Sequence, residues 1–168
     1  MTDKTETCTG GCTCGEVRYE VHASPMIVHA CHCRWCQRQT GGPHVINALI
    51  EAEHVVTTKG EVETIDTASP SGKGQIIARC PNCRVAVWSH YDFRGLRERV
   101  HFLRVGTLDN PDLMPPDVHI YTSTKMPWYV IPPDHYAVEE FYDLATTWSP
   151  ESQQRFQALV AAMKAGPG

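Results

Sequence analysis

Seven of the eight cysteines in this 168-residue chain lie in three short clusters. The clusters read Cys12-Thr-Cys14, Cys31-His-Cys33-Arg-Trp-Cys36 and Cys80-Pro-Asn-Cys83. Two thiolates placed two or three positions apart in a turn can bind one ion, so each short pair supplies half of a tetrahedral zinc site. Clusters of this kind favour metal binding or catalysis where thiols stay reduced, and a disulfide framework is the alternative.

The two outer pairs predict a closed structural metal site. Cys12 and Cys14 lie far from Cys80 and Cys83 in the chain, so a four-thiolate site would tie the start of the domain to its middle. Glycines beside the first pair and the Pro-Asn turn within the last supply the bends that bring each pair of sulfurs together. Thiolate ligands favour zinc, although all-thiolate sites also accept iron.

The middle cluster predicts a second metal site of a different kind. Cys31, Cys33 and Cys36 provide three ligands, which leaves the fourth position for water or a substrate atom. Chemistry can occur at such an open position, so we expect a catalytic zinc there and two Zn2+ per chain. Completion of this site by Cys8 or by a histidine would instead make it a second structural site.

Charged and titratable residues near the triplet are candidates for catalytic roles. Zinc with three thiolates carries a net negative charge, which Arg34 and Arg38 would offset, and either arginine could bind a substrate carboxylate. His44 is a candidate to move a proton at neutral pH, and His32 is a weaker one. Solvated arginines and structural histidines are the alternatives. Cys8 is expected to be a bystander in a frayed N-terminus.

Alternation of polar and apolar residues predicts a mainly β domain that positions these clusters. Residues 16–21 alternate polar residues with apolar or aromatic ones, as a half-buried strand does. Further strands are predicted over Val45–Ile50, His54–Thr58, Glu61–Ile65, Gln75–Ala78, Val85–His90, Val100–Val105 and Val118–Tyr121. Short strands separated by turn residues favour a sandwich, a barrel or a folded sheet.

Two helices are predicted near the C-terminus. Residues 149–165 begin with a hydroxyl cap, a proline and an acid, and then carry apolar residues at helical spacing. A shorter helix is predicted over Asp134–Asp143. The Ser- and Gly-rich segment 68–74 is predicted to be a solvated hairpin tip, because it lacks the spacing of a phosphate-binding loop.

Composition and charge exclude several classes of function. A formal charge of −4, with scattered basic residues, argues against nucleic acid as a partner. The chain has no apolar run long enough to span a membrane, and its first residues do not resemble a secretory leader, so a cytoplasmic location is expected. Residues 1–168 are expected to form one domain with a core over about 8–143. The apolar face of the last helix is compatible with packing on the domain or in a homo-oligomer.

The cysteine clusters and their neighbours resemble the glutathione-dependent formaldehyde-activating enzyme family, also called the CENP-V/GFA domain. The resemblance rests on Gly10-Gly-Cys-Thr-Cys-Gly-Glu-Val-Arg-Tyr19, Cys31-His-Cys-Arg-Trp-Cys-Gln-Arg-Gln-Thr-Gly41 and Arg79-Cys-Pro-Asn-Cys83. The later stretches Val105-Gly-Thr-Leu-Asp-Asn-Pro111 and His119-Ile-Tyr-Thr-Ser-Thr-Lys-Met-Pro-Trp128 resemble the closing strands of that family. Two positions differ, because Arg84 stands where members commonly have glycine and His44 lies near a position that is often aromatic.

The resemblance implies a mainly β, Mss4-like folded sheet with a structural zinc on the outer pairs and a catalytic zinc on the triplet. It also implies carbon-sulfur lyase activity, of which S-hydroxymethylglutathione formation from formaldehyde and glutathione is the namesake reaction. We therefore predict a zinc-dependent lyase or synthase. Its substrate is expected to be the adduct of a thiol, glutathione in particular, with a small carbonyl or electrophile. The alternatives are a noncatalytic zinc scaffold that binds a partner protein and a different zinc-dependent lyase or isomerase of secondary metabolism.

Overall fold

The chain folds into two β-sheets and a C-terminal helix in a computed structural model that describes residues 8–165. The strands are β1 Cys8–Gly11, β2 Arg18–Val21, β3 Ile27–Cys31, β4 Val45–Glu51, β5 Val55–Lys59, β6 Glu63–Thr67, β7 Gln75–Arg79, β8 Ala86–Tyr91, β9 Val100–Arg104 and β10 Val118–Ile120. The helices are α1 Arg34–Thr40, α2 Leu144–Thr147 and α3 Pro150–Ala165. The predicted mainly β class with a C-terminal helix is confirmed.

The two sheets differ in size and share an antiparallel character. The small sheet has the order β1-β2-β5, and the large sheet has the order β10-β3-β4-β9-β8-β7-β6. Neighbouring strands pair antiparallel except for β10, which runs parallel to β3. The ends of the predicted domain, residues 1–7 and 166–168, lie outside the described residues, and its extent over 1–168 stays a prediction.

The large sheet buries both of its faces. Successive side chains of a strand point to opposite faces, so the odd positions of β4 share one face and the even positions share the other. One face packs on the small sheet around a core that includes Tyr19, Ile50 and Leu103. The opposite face packs on the C-terminal segments around a core that includes Leu49 and Trp148.

Helix α3 is fixed to the second face by its cap and by an ion pair. The backbone N–H of Ser152 donates to Oγ of Ser149, as the predicted start of the helix requires. Arg155 donates from Nε and Nη2 to the two carboxylate oxygens of Glu51 in β4, at 2.8 and 2.5 Å. None of the helices in residues 8–165 has the length and apolar character that crossing a bilayer requires.

Two local predictions are wrong. Residues 134–143 form no helix, because their backbone groups instead pair with the edge of β10, where the N–H of His119 donates to the carbonyl of Tyr136 and the N–H of Val138 donates to the carbonyl of His119. Cys8 does not lie in a frayed terminus. It is buried in β1 opposite Val21, and burial raises the pKa of its thiol.

Three elements around the cysteines were not predicted from the sequence. Strand β1 and strand β3 lead into the first and second clusters, and α1 begins inside the second cluster. Strand β3 is buried along its whole length, so its sequence Ile-Val-His-Ala-Cys lacks the alternation of polar and apolar residues that marks a half-buried strand. Helix α1 is only seven residues long, which is too short for a helical period to be visible.

Candidate functional site

The two outer cysteine pairs converge at one end of the small sheet. The sulfurs of Cys12, Cys14, Cys80 and Cys83 all lie within 4.8 Å of one another. The Sγ atoms are 3.5 Å apart between Cys12 and Cys14, and 3.7 Å apart between Cys14 and Cys80. A tetrahedral zinc ion with Zn–S bonds of about 2.3 Å would hold its sulfurs about 3.8 Å apart, so the cluster has the dimensions of a zinc site.

Each outer pair lies in a tight turn that ends in a residue with a left-handed backbone conformation. In the first turn the N–H of Gly15, with φ of 75°, donates to the carbonyl of Cys12. In the second the N–H of Arg84, with φ of 64°, donates to the carbonyl of Cys80. Glycine adopts this conformation freely, whereas a side chain at Arg84 is strained there.

The triplet lies where β3 passes into α1. Cys31 ends the strand, Cys33 caps the helix and Cys36 lies in its first turn, where its N–H donates to Sγ of Cys33 at 3.3 Å. The three sulfurs lie within 4.8 Å of one another. Hydrogen bonds with Cys31 and Cys36 lower the pKa of Cys33, while hydrogen bonds with Cys31 and Cys33 raise the pKa of Cys36. A metal cation would stabilise all three as thiolates.

Within residues 8–165 the triplet gains no fourth ligand from the chain. No further histidine, cysteine or carboxylate donor atom joins its three sulfurs within the same 4.8 Å. The alternatives in which Cys8 or a histidine completes the site therefore lack support. All eight cysteines are unpaired in the structure, so the alternative of a disulfide framework lacks support. The sulfurs of the three clusters therefore form one group of four and one group of three. That these cysteines bind metal, and that the metal is zinc, stay predictions.

A cavity of about 270 Å³ opens beside the triplet. Strands of the large sheet form its floor, α1 contributes Trp35, and the loop between β6 and β7 covers it with residues 69–71. Trp35 donates from Nε1 to the carbonyl of Ala68 at 2.9 Å, and the hydroxyl of Tyr91 donates to Oγ of Ser71 at 2.8 Å. The segment predicted to be a solvated hairpin tip therefore forms part of the cavity wall.

Aromatic side chains form most of the remaining wall. Ring centroids are 6.3 Å apart between Tyr91 and Phe102, 6.2 Å between Phe102 and Phe93, and 6.3 Å between Phe93 and Phe141. Tyr121 continues the series, 6.3 Å from Phe141. Among the described residues that line the cavity, none carries a Lys, Arg, Asp or Glu side chain. The cavity is an apolar pocket with a few polar groups on its floor.

One of these polar groups, Asn47, is oriented by a buried arginine. Nη1 of Arg104 donates to Oδ1 of Asn47 at 2.5 Å, and both residues are 6% exposed. A guanidinium only donates, so this bond turns the amide oxygen of Asn47 towards Arg104 and leaves its NH2 group as a donor beside the cavity. Burial lowers the pKa of Arg104, and the nearby thiols of Cys36 and Cys31 oppose that shift.

A second polar group, His29, is fixed by a hydrogen-bond chain. Nε1 of Trp148 donates to the hydroxyl oxygen of Tyr142 at 2.9 Å, so the Tyr142 hydroxyl donates its proton to Nε2 of His29, 2.5 Å away. The neutral His29 ring therefore carries its proton on Nδ1. Burial lowers the pKa of His29 to about 3, which keeps the imidazole neutral at physiological pH.

The three candidate catalytic residues lie outside this cavity. Arg34 and Arg38 are exposed on α1, and Nη1 of Arg34 donates to Oε1 of Gln37 at 2.9 Å. His44 lines a separate cavity of about 450 Å³ together with Arg79 and Arg104. The structure thus places the arginines on the helix that carries part of the triplet, and it places His44 apart from the triplet cavity. Their catalytic roles stay predictions.

His44 belongs to a cluster of histidines with Tyr129. Its ring lies 4.9 Å from the ring of His32 and 4.9 Å from that of Tyr129. Nε2 of His32 lies 2.9 Å from Nδ1 of His119, and Nε2 of His119 lies 3.1 Å from Nδ1 of His135. Burial lowers the pKa of His44, and it lowers the pKa of both His32 and His119 to about 4. The buried members of this cluster are therefore neutral at physiological pH.

Sequence reasoning missed two polar residues of the cavity floor, Asn47 and His29, and the arginine that pairs with Asn47. Asn47 and Arg104 lie in predicted strands, and a polar amide inside the otherwise apolar run Val45–Ile50 is a signal that could have marked Asn47. His29 lies in a strand that was not predicted. Nothing in the sequence indicates that Arg104 pairs with Asn47, because the two are 57 residues apart.

Comparison with known proteins identifies the family. The fold and the two thiol clusters define a mainly β protein whose cysteines can hold two metal ions. Residues 7–124 match the family described as "Glutathione-dependent formaldehyde-activating enzyme", and the chain belongs to that family. A crystal structure of a Rhodobacter sphaeroides protein, solved as a structural-genomics target, is similar over 64% of this chain and 96% of its own, with 20% identity and a TM-score of 0.47. No curated protein matches the chain.

Proposed function

We propose that the protein is a zinc-dependent carbon-sulfur lyase or synthase that joins a thiol, glutathione in particular, to a carbonyl compound and cleaves the resulting adduct. The observation that carries the proposal is the triplet of Cys31, Cys33 and Cys36, which gains no fourth donor from residues 8–165 and opens onto a cavity. Family membership supports chemistry that involves glutathione and formaldehyde. Three soft thiols at this spacing fit zinc.

The reaction is balanced without an oxidant or a reductant. In the forward direction the thiol sulfur attacks the carbonyl carbon, a C–S bond forms, the π electron pair moves to oxygen, and the thiol proton ends on that oxygen. In the reverse direction the hydroxyl proton leaves, the C=O bond forms again, and the C–S electron pair returns to sulfur, which takes up a proton. A zinc ion, when bound, supplies a Lewis acid that favours the thiolate form of the thiol and polarises the carbonyl.

Two residues of the cavity floor, together with the buried Arg104 that pairs with one of them, supply the rest of the site. The NH2 group of Asn47 is held as a donor by Arg104 and is placed to stabilise the oxygen that gains charge as the C–S bond forms. The guanidinium of Arg104, buried near the triplet, offsets the net negative charge of a zinc ion with three thiolates. His29, held as the neutral Nδ1–H tautomer by Tyr142, is a further donor beside the cavity.

In this proposal Arg34 and Arg38 act outside the triplet cavity, and His44 acts from its own separate cavity. Glutathione carries two carboxylates and an ammonium group, and burial of these charges in an apolar cavity would be costly. The peptide part therefore lies outside the cavity, where the exposed Arg34 and Arg38 of α1 can bind a carboxylate. His44 would exchange protons only through residues or water between its own cavity and the triplet.

The test measures exchange between the free aldehyde and its glutathione adduct by magnetization-transfer NMR with the zinc-loaded protein. We expect catalysed exchange that the Cys33→Ser variant loses. The matched control is Cys8→Ser, which removes a thiol that belongs to neither cluster. Exchange at the uncatalysed rate for formaldehyde and for larger aldehydes, with two zinc ions bound per chain, would overturn the proposal.

A further inference from the structure

We propose that the carbonyl partner carries an aromatic or comparably bulky apolar substituent, and that the cavity beside the triplet binds this substituent. The inference rests on the proposed function and names the class of electrophile that the site accepts. Its basis is the size of the cavity, the composition of its wall and the small number of polar groups on its floor.

The size of the cavity exceeds what a one-carbon electrophile fills. An apolar cavity of about 150 Å³ is large enough to bind benzene. The cavity here measures about 270 Å³, which leaves room for a phenyl ring together with the carbonyl carbon and the attached sulfur. A hydroxymethyl group would contact only a small part of this wall, so most of the apolar surface would gain nothing from binding it.

The wall of the cavity matches an aromatic ligand. Five aromatic rings follow one another around it, in the order Tyr91, Phe102, Phe93, Phe141 and Tyr121. Aromatic rings attract one another edge to face or in offset stacks, beyond the gain from burial of apolar surface. Neighbouring rings here lie at steep angles, 87° between Tyr91 and Phe102 and 82° between Phe93 and Phe102. An added ring can pack against faces and edges in the same manner.

The polar groups of the cavity suit the neutral oxygen of a carbonyl group and no charged group. Gln75 uses its Nε2 atom in a bond to Oγ of Ser89 at 2.7 Å, and Tyr91 uses its hydroxyl proton in a bond to Ser71. The NH2 group of Asn47 remains as a donor for the carbonyl oxygen, beside the further donor that His29 supplies. None of the described lining residues offers a charged partner for a carboxylate or an ammonium group of a ligand. The electrophile is therefore apolar apart from its carbonyl.

The inference is tested by calorimetric titration of the zinc-loaded protein with two stable thioethers, S-benzylglutathione and S-methylglutathione. They share the peptide and the sulfur and differ only in the group that would enter the cavity. A single methylene in an apolar pocket changes binding by about tenfold or more, so we expect S-benzylglutathione to bind at least about tenfold more tightly. Binding is measured without turnover, which separates this test from assays of activity.

Variants assign the preference to the cavity wall. Phe141 is 39% exposed, so Phe141→Ala is expected to fold, and it should reduce the preference for the benzyl compound while leaving binding of the methyl compound nearly unchanged. The matched control is Tyr136→Ala, since Tyr136 is an exposed aromatic residue that does not line the cavity. Thermal unfolding of each variant verifies that the fold is retained.

Three results would overturn the inference, and they are distinguishable. Equal binding of both thioethers would exclude an aromatic pocket and leave the proposed function standing. A preference that Phe141→Ala and Tyr136→Ala leave equally intact would place the benzyl group elsewhere. Failure of both thioethers to bind would exclude the aromatic pocket, and the same failure combined with uncatalysed adduct exchange would remove the proposed function as well.

Discussion

Asn47 and Arg104 occupy directly opposite positions in β4 and β9, and Nη1 of Arg104 lies 2.5 Å from Oδ1 of Asn47. Asn47 lines the triplet cavity, and Arg104 lines the separate cavity that contains His44. The buried pair thus connects the floor of the proposed active site with a positive charge that lies near the thiols of Cys31 and Cys36. Each member of the pair can be tested separately.

Replacement of Asn47 tests the donor to the carbonyl oxygen. Asn47→Asp keeps the shape of the side chain and the acceptor for Arg104, but it removes the NH2 donor. We expect the exchange rate to fall by about 10²- to 10³-fold, as for the loss of an oxyanion donor, with bound zinc unchanged. Asn110→Asp is the control, because Asn110 is exposed and caps a short 3-10 helix, Pro111–Leu113, which aspartate caps equally well. An unchanged rate in Asn47→Asp would exclude the donor role.

Replacement of Arg104 tests charge compensation at the triplet. Arg104→Met leaves the thiolates without their buried cation, so we expect the affinity of the triplet for zinc to fall by about 10- to 100-fold. Competition with a chelator of known affinity measures this loss. Arg104→Lys should restore part of the affinity because it retains the charge, and the exposed Arg38→Met should have little effect. Equal zinc affinity in Arg104→Met and the wild type would contradict the proposed compensation.

The two cysteine clusters should respond differently to substitution. Cys80→Ser removes a ligand from the predicted structural site and should unfold the domain or strongly lower its melting temperature, because structural zinc contributes directly to folding. Cys33→Ser should abolish catalysis and leave the fold intact. Circular dichroism and metal analysis distinguish the two cases. If both variants unfolded alike, the assignment of a structural site and a catalytic site would be wrong.

The left-handed conformation of Arg84 predicts a stabilising substitution. An L-residue in this conformation costs about 1 kcal/mol or more, so Arg84→Gly should raise the free energy of unfolding by about 1 kcal/mol. The ion pair of Arg84 with Glu63 is exposed and contributes little. Arg84→Ala is the control, since it removes the charge and keeps the strained backbone. Denaturant titration of the zinc-loaded proteins should show a gain only for the glycine variant.

The ion pair between Glu51 and Arg155 predicts a pH-dependent contribution to stability. Burial alone would raise the pKa of Glu51, but hydrogen bonds from Arg155 hold it below the ordinary value of 4.5. A carboxylate with a lowered pKa stabilises the fold above its unfolded pKa, and this contribution disappears as the pH falls through the folded pKa. Arg155→Met leaves a buried carboxylate unpaired, so we expect a loss of roughly 3 kcal/mol at pH 7.

The pH dependence of that loss is the measurement that identifies its cause. The difference in unfolding free energy between wild type and Arg155→Met should be largest at neutral pH and should narrow as the pH falls towards and below 4.5. Denaturant titrations at several pH values give this difference. A difference that stayed constant over the range would indicate lost packing by the Arg155 side chain instead of a lost ion pair.

Features that depend on near neighbours in the chain can be predicted from the residues alone. The spacing of the cysteines predicts three clusters that can share metal ions, alternation predicts most of the strands, and the cap at Ser149 predicts the last helix. These features need only a few consecutive residues, because a turn or a cap forms within one short segment. The helix predicted over residues 134–143 failed because its backbone groups find partners on β10, which local propensity does not reveal.

The surroundings of the triplet depend on contacts between distant parts of the chain, which could not be predicted from local sequence. The cavity combines side chains from β3, β4, β7, β8, β9 and β10 with the loop that follows β6, and their order in the sheet differs from their order in the chain. The register between β4 and β9 places Arg104 opposite Asn47, and a shift by one residue would turn either side chain to the other face. The chemical character of the cavity therefore depends on strand pairing over long sequence separations.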